Sequence, residues 1–123
     1  MSIAVSIEDL PGVVAERGAD AYLVTIRDDR PHVVAVTVTW EQSNLLVGSG
    51  RRTGMNIVDH PKVTLLWPTS EQDPKHSLLV DGTAHLSDVG EWLVITPTSA
   101  ILHRAGGRRR PAPEPTEAPE TET

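Results

Sequence analysis

Residues 21–40, AYLVTIRDDRPHVVAVTVTW, constrain the fold more than any other stretch of this chain. Two runs rich in Val, Ile and Thr flank the polar triplet DDR. That pattern reads as a β-hairpin with strands over Tyr22–Arg27 and Val33–Trp40. In the second run Val34, Val36 and Val38 alternate with Val33, Ala35, Thr37 and Thr39, so apolar groups stand on both faces. Such a strand lies inside a closed sheet, or turns one face to a ligand or a partner subunit.

The flanking sequence continues in short elements. Before the hairpin, Ser6 to Gly18 reads as a helix: Ser6 can cap, Asp9 stands three residues on, and Gly18 is a natural stop. Pro11 and Gly12 make its first turn irregular. After the hairpin, EQSN forms a turn and Leu45–Val47 a third strand. A helix from about Thr53 to Asp59 ends before His60-Pro61, and Val63–Trp67 is the fourth strand. Residues 68–77 form a polar loop. A fifth strand runs from Leu78 to Leu86 with a bulge expected at Asp81-Gly82, and Trp92–Arg104 holds a sixth, interrupted or edged at Pro97. Six short strands and two short helices in this order predict a mostly antiparallel β-barrel over residues 1–104, because closure leaves no long exposed edge.

Composition narrows the function. A chain of 123 residues builds one core, and without cysteine it has neither disulfides nor thiol chemistry. The net charge of −6 is concentrated at the C-terminus: residues 111–123 carry four glutamates and no basic group, which leaves a net of −2 for the rest. A near-neutral barrel has no electrostatic footprint for nucleic acid. The first ten residues lack a basic signal region, and no apolar run approaches a membrane span, so the expectation is a cytoplasmic protein. Residues 105–123 are rich in Pro, Glu and Thr and are expected to form a disordered tail.

Chemistry concentrates in residues 48–67, GSGRRTGMNIVDHPKVTLLW. A strand ends there in a Gly-rich turn, and a helix begins with Arg51, Arg52 and Thr53. Helix starts leave N–H groups unpaired and carry partial positive charge, so with two arginines this turn suits a phosphate. It is not a Walker loop, since no GK[ST] follows. The five histidines, His32, His60, His76, His85 and His103, stand at no metal-ligand spacing, and no serine-hydrolase signature is present.

Three segments together resemble the flavin-binding split β-barrel family related to pyridoxamine 5′-phosphate oxidase. PHVVAVTVT (residues 31–39) is similar to the strand that lines the isoalloxazine. GRRTGMNIVDHPKVTLLW (50–67) is similar to the phosphate turn, short helix and next strand. LLVDGTAHLS (78–87) carries the family's V-x-G-x-A pattern. The resemblance implies FMN or a deazaflavin coenzyme, with Arg51, Arg52 and Thr53 near its phosphate and Val36, Thr37 and Val38 along its ring. It adds Asn56 to the cofactor-binding set, and a homodimer whose second protomer completes each site. Arg52 falls on the family's phosphate arginine. Thr53 replaces the family's lysine, and Val34 and Thr39 stand where the oxidases place an arginine and a lysine. The vitamin-processing oxidases continue beyond the sixth strand with their substrate-binding basic residues, whereas here a low-complexity stretch follows. A different substrate is therefore expected. The resemblance implies an oxidoreductase of unassigned small-molecule substrate, or a non-catalytic flavin or tetrapyrrole binding protein on the same barrel.

Overall fold

The computed structural model describes residues 2–88 and 90–105. Apart from Ala105, the expected disordered tail lies outside them. In chain order the elements are β1 (Ser2–Val5), α1 (Leu10–Arg17), β2 (Asp20–Arg27), β3 (Arg30–Glu41), β4 (Asn44–Gly48), α2 (Arg51–Asp59), β5 (Lys62–Trp67), β6 (Ser77–Leu86) and β7 (Trp92–His103).

Strands β2 to β7 close into a six-stranded antiparallel barrel in the order β7-β4-β3-β2-β5-β6, with β6 returning to β7. One strand beyond the expected six is present. Ser2–Val5 pairs antiparallel with residues 100–103 of β7, just past the segment that pairs with β4. This corrects the helix start as well. The Asp9 N–H does donate to Ser6 Oγ, at 3.2 Å. That bond closes a turn over residues 7–9, however, and the helix proper opens at Leu10 with Pro11 in its first turn, where a missing N–H costs nothing. Gly18 ends it at φ +90°, in the left-handed region that glycine tolerates best.

The β2–β3 hairpin turns on Asp28 and Asp29, both at positive φ, between the paired Arg27 and Arg30. Two such residues match the right-handed twist of the strands they join. Alternation then sorts the side chains. Leu23, Val38, Leu45, Leu65, Val80 and Ile95 point inward, one from each barrel strand, and all are buried. On the outer face Tyr22 and Val33 remain exposed, with Val24, Ile26 and Leu66 half-buried.

The bulge expected at Asp81-Gly82 is present as a register shift, Asp81 pairing with Ser99 and Gly82 with Pro97. Strand β7 runs through Pro97 without interruption, contrary to one reading of the sequence. Pro97 sits at the bulge, between the residues that pair with β4 and those that pair with β1, where an absent N–H is tolerated.

Helix α1 is fastened to the barrel at its C-terminal end. Trp67 Nε1 donates to Gly18 O at 3.0 Å. The Arg17 guanidinium, 5% exposed, donates to Asp73 Oδ2 (2.8 Å), His76 O (2.8 Å) and Pro68 O (3.2 Å). Asp73 in turn accepts the backbone N–H groups of Lys75 and His76, and His76 Nδ1 lies 3.2 Å from its Oδ1. Desolvation pushes the Asp73 carboxyl up. The His76 and Lys75 hydrogen bonds, with the charges of His76 and Arg17, outweigh it and hold the group below its ordinary 3.8. A carboxyl with a lowered folded-state pKa stabilises the fold above its unfolded pKa, and that contribution is lost as pH falls through the folded value. The backbone amide signals of Lys75 and His76 should therefore titrate in NMR with a midpoint below 3.8, and not at all in Asp73→Asn. A midpoint at or above 3.8 would contradict the clamp.

Candidate functional site

Helix α2 begins without a cap. Its N-cap, Gly50, is extended and offers no side chain, and the first turn holds no acidic residue. Its first N–H groups therefore face outward unpaired, with the positive end of the helix dipole. Arg51 and Arg52 are both exposed, and among the described residues no carboxylate pairs with either. This corner is held firmly from behind. The Ser49 N–H donates to Glu91 O at 2.9 Å. A Cβ on Gly54 would come within 3.0 Å of Ser49 Oγ and 3.5 Å of Leu86, so the helix packs directly on the turn that precedes it.

The other expected residues divide by depth. Thr53 is 7% exposed and sits at the helix start, and its backbone N–H belongs to the unpaired set. Asn56, 6% exposed, faces inward and donates from Nδ2 to Thr25 Oγ1 at 3.1 Å, tying α2 to β2. Val38 belongs to the core and Val36 packs against it half-buried; Thr37 between them faces outward and is exposed. Any ligand beside these three meets the Thr37 side chain and the strand's backbone rather than two valine side chains.

Sheet register brings the two groups to one neighbourhood. Val38 pairs with Val47, one residue before β4 ends at Gly48 and the chain turns into α2. Strand β4 pairs β3 only over residues 38–41, so residues 30–37 are bonded to β2 on one side, and among the described residues no strand pairs them on the other. An unpaired edge offers backbone donors and acceptors to whatever lies against it.

A cleft of about 350 Å³ opens beside Thr37, lined by Asp20, Ala21, Tyr22, Ala35, Val36, Thr37 and Pro68. It arises because Tyr22 stands directly across from the small Ala35, leaving space beside the ring. Sequence reasoning did not single out Asp20, Ala21, Tyr22, Ala35 or Pro68, which line this cleft. The signal available was the outward phase of β2 relative to β3, which the hairpin register fixes. A larger concavity, about 550 Å³, lies over the bulge and is lined by residues that include Lys62, Thr64, Asp81 and Thr83. There Asp81 accepts a hydrogen bond from Thr64 Oγ1 at 2.6 Å, and a lone lysine beside a carboxylate is a poor match to a phosphate. Among the described residues no three side chains converge in metal-ligating geometry.

The fold and site can be set beside known proteins. No family model matches the sequence. The uncharacterized protein Mb0449c of Mycobacterium bovis is 39% identical over 101 residues, covering 68% of this chain and 70% of its own; a protein of Mycobacterium tuberculosis matches equally. Among solved structures, a pyridoxamine 5′-phosphate oxidase-type protein from Listeria innocua superposes with a TM-score of 0.64 at 17% identity, over 79% of this chain and 98% of its own. The FAD binding protein of Mycobacterium smegmatis gives 0.59 at 17% identity, over 85% and 100%. An F420 reductase gives 0.55 at 21% identity, over 69% and 90%. At these identities the structural matches establish a shared fold.

Proposed function

We propose that this chain, which is related to the uncharacterized mycobacterial protein and shares the split β-barrel fold of the pyridoxamine 5′-phosphate oxidase-type, FAD binding and F420 reductase structures, binds FMN or a deazaflavin coenzyme and acts as a homodimeric oxidoreductase. The observation that carries this reading is the uncapped start of α2 with two arginines that no carboxylate pairs among the described residues, one strand-end away from the unpaired edge of β3. The helix start fits a phosphate: it has orphan N–H donors, no acid in its first turn, and two guanidinium groups able to bind anionic oxygens. In this reading Arg52 and the N–H groups of Arg51, Arg52 and Thr53 hold the phosphate. The exposed Thr37 and the backbone of Val36 to Val38 flank the ring. Asn56 acts from behind, holding α2 against β2 through Thr25.

When bound, the flavin or deazaflavin would supply hydride transfer. The chain's own part is to bind, orient and exclude water. The outer face of β2 and β3, with Tyr22 and Val33 exposed, gives a second protomer an apolar surface to cover. Light scattering at micromolar concentration should return twice the chain mass; a monomer would remove the second wall of the site.

The experiment that tests the reading is titration of ligand-free protein with FMN and with a deazaflavin coenzyme, followed by cofactor fluorescence. Saturable binding of one at tens of micromolar or tighter, about 6 kcal/mol, is expected. No saturation by either would end the proposal. A specific observation also favours the second reading, a non-catalytic flavin or tetrapyrrole binder. Thr53, Val34 and Thr39 stand where the family's oxidases carry cations, so fewer charges hold a phosphate. Bound cofactor that a nicotinamide donor fails to reduce would select it.

A further inference from the structure

Arg17 is the most deeply buried cation described in the barrel, and nothing proposed so far uses it. Its three bonds all reach into the loop of residues 68–76: to the carbonyls at the loop's two ends and to the carboxylate of Asp73 between them. Spanning a loop from end to end with one planar, multi-donor group fixes its shape more than any single contact could. The first residue so held, Pro68, is also a wall of the cleft beside Tyr22 and Thr37. The other end of the tether is rigid too, because Trp67, the residue before Pro68, is 1% exposed and bonded to Gly18 O. Helix α1 itself lines no part of that cleft; it reaches the Pro68 wall through this loop and the Asp20 wall through the short Gly18-Ala19 link.

We propose that Arg17 is a positioning residue: by clamping the loop of residues 68–76 from α1, it sets where Pro68 stands and so how wide a flat ring the Tyr22 cleft accepts. This rests on the reading that a ring-bearing cofactor lies against β3. The ligand class the cleft suits is a planar heteroaromatic. Tyr22, Ala35 and Pro68 give apolar walls, and the Asp20 carboxylate, across from Thr37 in the register, accepts a hydrogen bond from a ring N–H edge.

The test compares FMN with riboflavin, which has the same ring and no phosphate, on the full chain. Arg17→Met should weaken both ligands by a similar factor, roughly tenfold, and Arg17→Lys should recover part of the loss. A lower melting temperature with both affinities unchanged would make Arg17 a purely structural residue and overturn the proposal. So would a loss confined to FMN, which would put the effect at the phosphate. Should Arg17→Met fail to fold, Pro68→Ala keeps the clamp and trims the wall, and the same equal loss is expected from it. Wild-type protein that binds neither of these ligands nor a deazaflavin coenzyme overturns the cofactor reading itself, and this inference with it. Wild-type binding that Arg17→Met and Pro68→Ala leave intact overturns this inference alone.

Discussion

Gly82→Ala should lower the melting temperature by about 4–24 °C. A Cβ at residue 82 would stand 2.7 Å from Thr96 O and 2.8 Å from Ile95 Cγ2. The first of these is backbone in the neighbouring strand and has no rotamer into which it can retreat. The bulge holds the two strands this close, with Thr98 Oγ1 donating to Asp81 O at 3.1 Å across it. Forcing a methyl group in must push β7 outward near its pairing with β4. Overpacking of this kind costs about 1–3 kcal/mol, and each kcal/mol shifts the midpoint of a domain this size by about 4–8 °C. Gly12→Ala is the contrast. It lies within α1, a Cβ there meets nothing within 4 Å, and the change should stabilise by about 0.5–1 kcal/mol. Thermal denaturation of both variants separates the cases; a Gly82→Ala midpoint within about two degrees of wild type would mean the strands part easily at the bulge.

The second large effect concerns binding. Arg52→Ala should cost about 1.5–3 kcal/mol of FMN affinity, a tenfold loss or more, while riboflavin affinity stays unchanged. The argument is local. Arg52 occupies the first turn of an uncapped helix, is exposed, and has no carboxylate partner among the described residues to give up. Arg51 shares the turn but also lines a shallow hollow with Met55, Val58 and Leu86, so its substitution is expected to cost less. Fluorescence titrations of the two alanine variants decide this. Equal, small losses would reduce the pair to a solvated surface.

How much was legible in the sequence depended on whether the relevant partner was near in the chain. The hairpin turn at Asp28-Asp29, the α2 start and the bulge at Gly82 are written in consecutive residues, and each could be read there. Strand β1 was missed because Ser2–Val5 is short and its partners are residues 100–103. The role of Arg17 was invisible for the same reason: on the sequence it is the last turn of a helix, and its carboxylate partner is 56 residues away. Within the candidate site, the family resemblance named Val36, Thr37 and Val38 as a set, and strand alternation left open which of them face outward. Burial of Val38 against exposure of Thr37 is a consequence of barrel closure, which fixes the inward face of every strand at once. The cleft beside Tyr22 likewise needs two strands in register and a clamped loop, so no single segment announces it.

The central claim is that one ligand spans the α2 start and the outer edge of β3. Amide shift mapping tests it most directly, by adding FMN and, separately, a deazaflavin coenzyme to isotope-labelled full-length protein. The expected result is that, with at least one of them, Gly50 to Thr53, together with Tyr22 and Ala35 to Thr37, shift along one common saturation curve. Shifts confined to the concavity around Thr64, Asp81 and Thr83, or none at all with either, would contradict it.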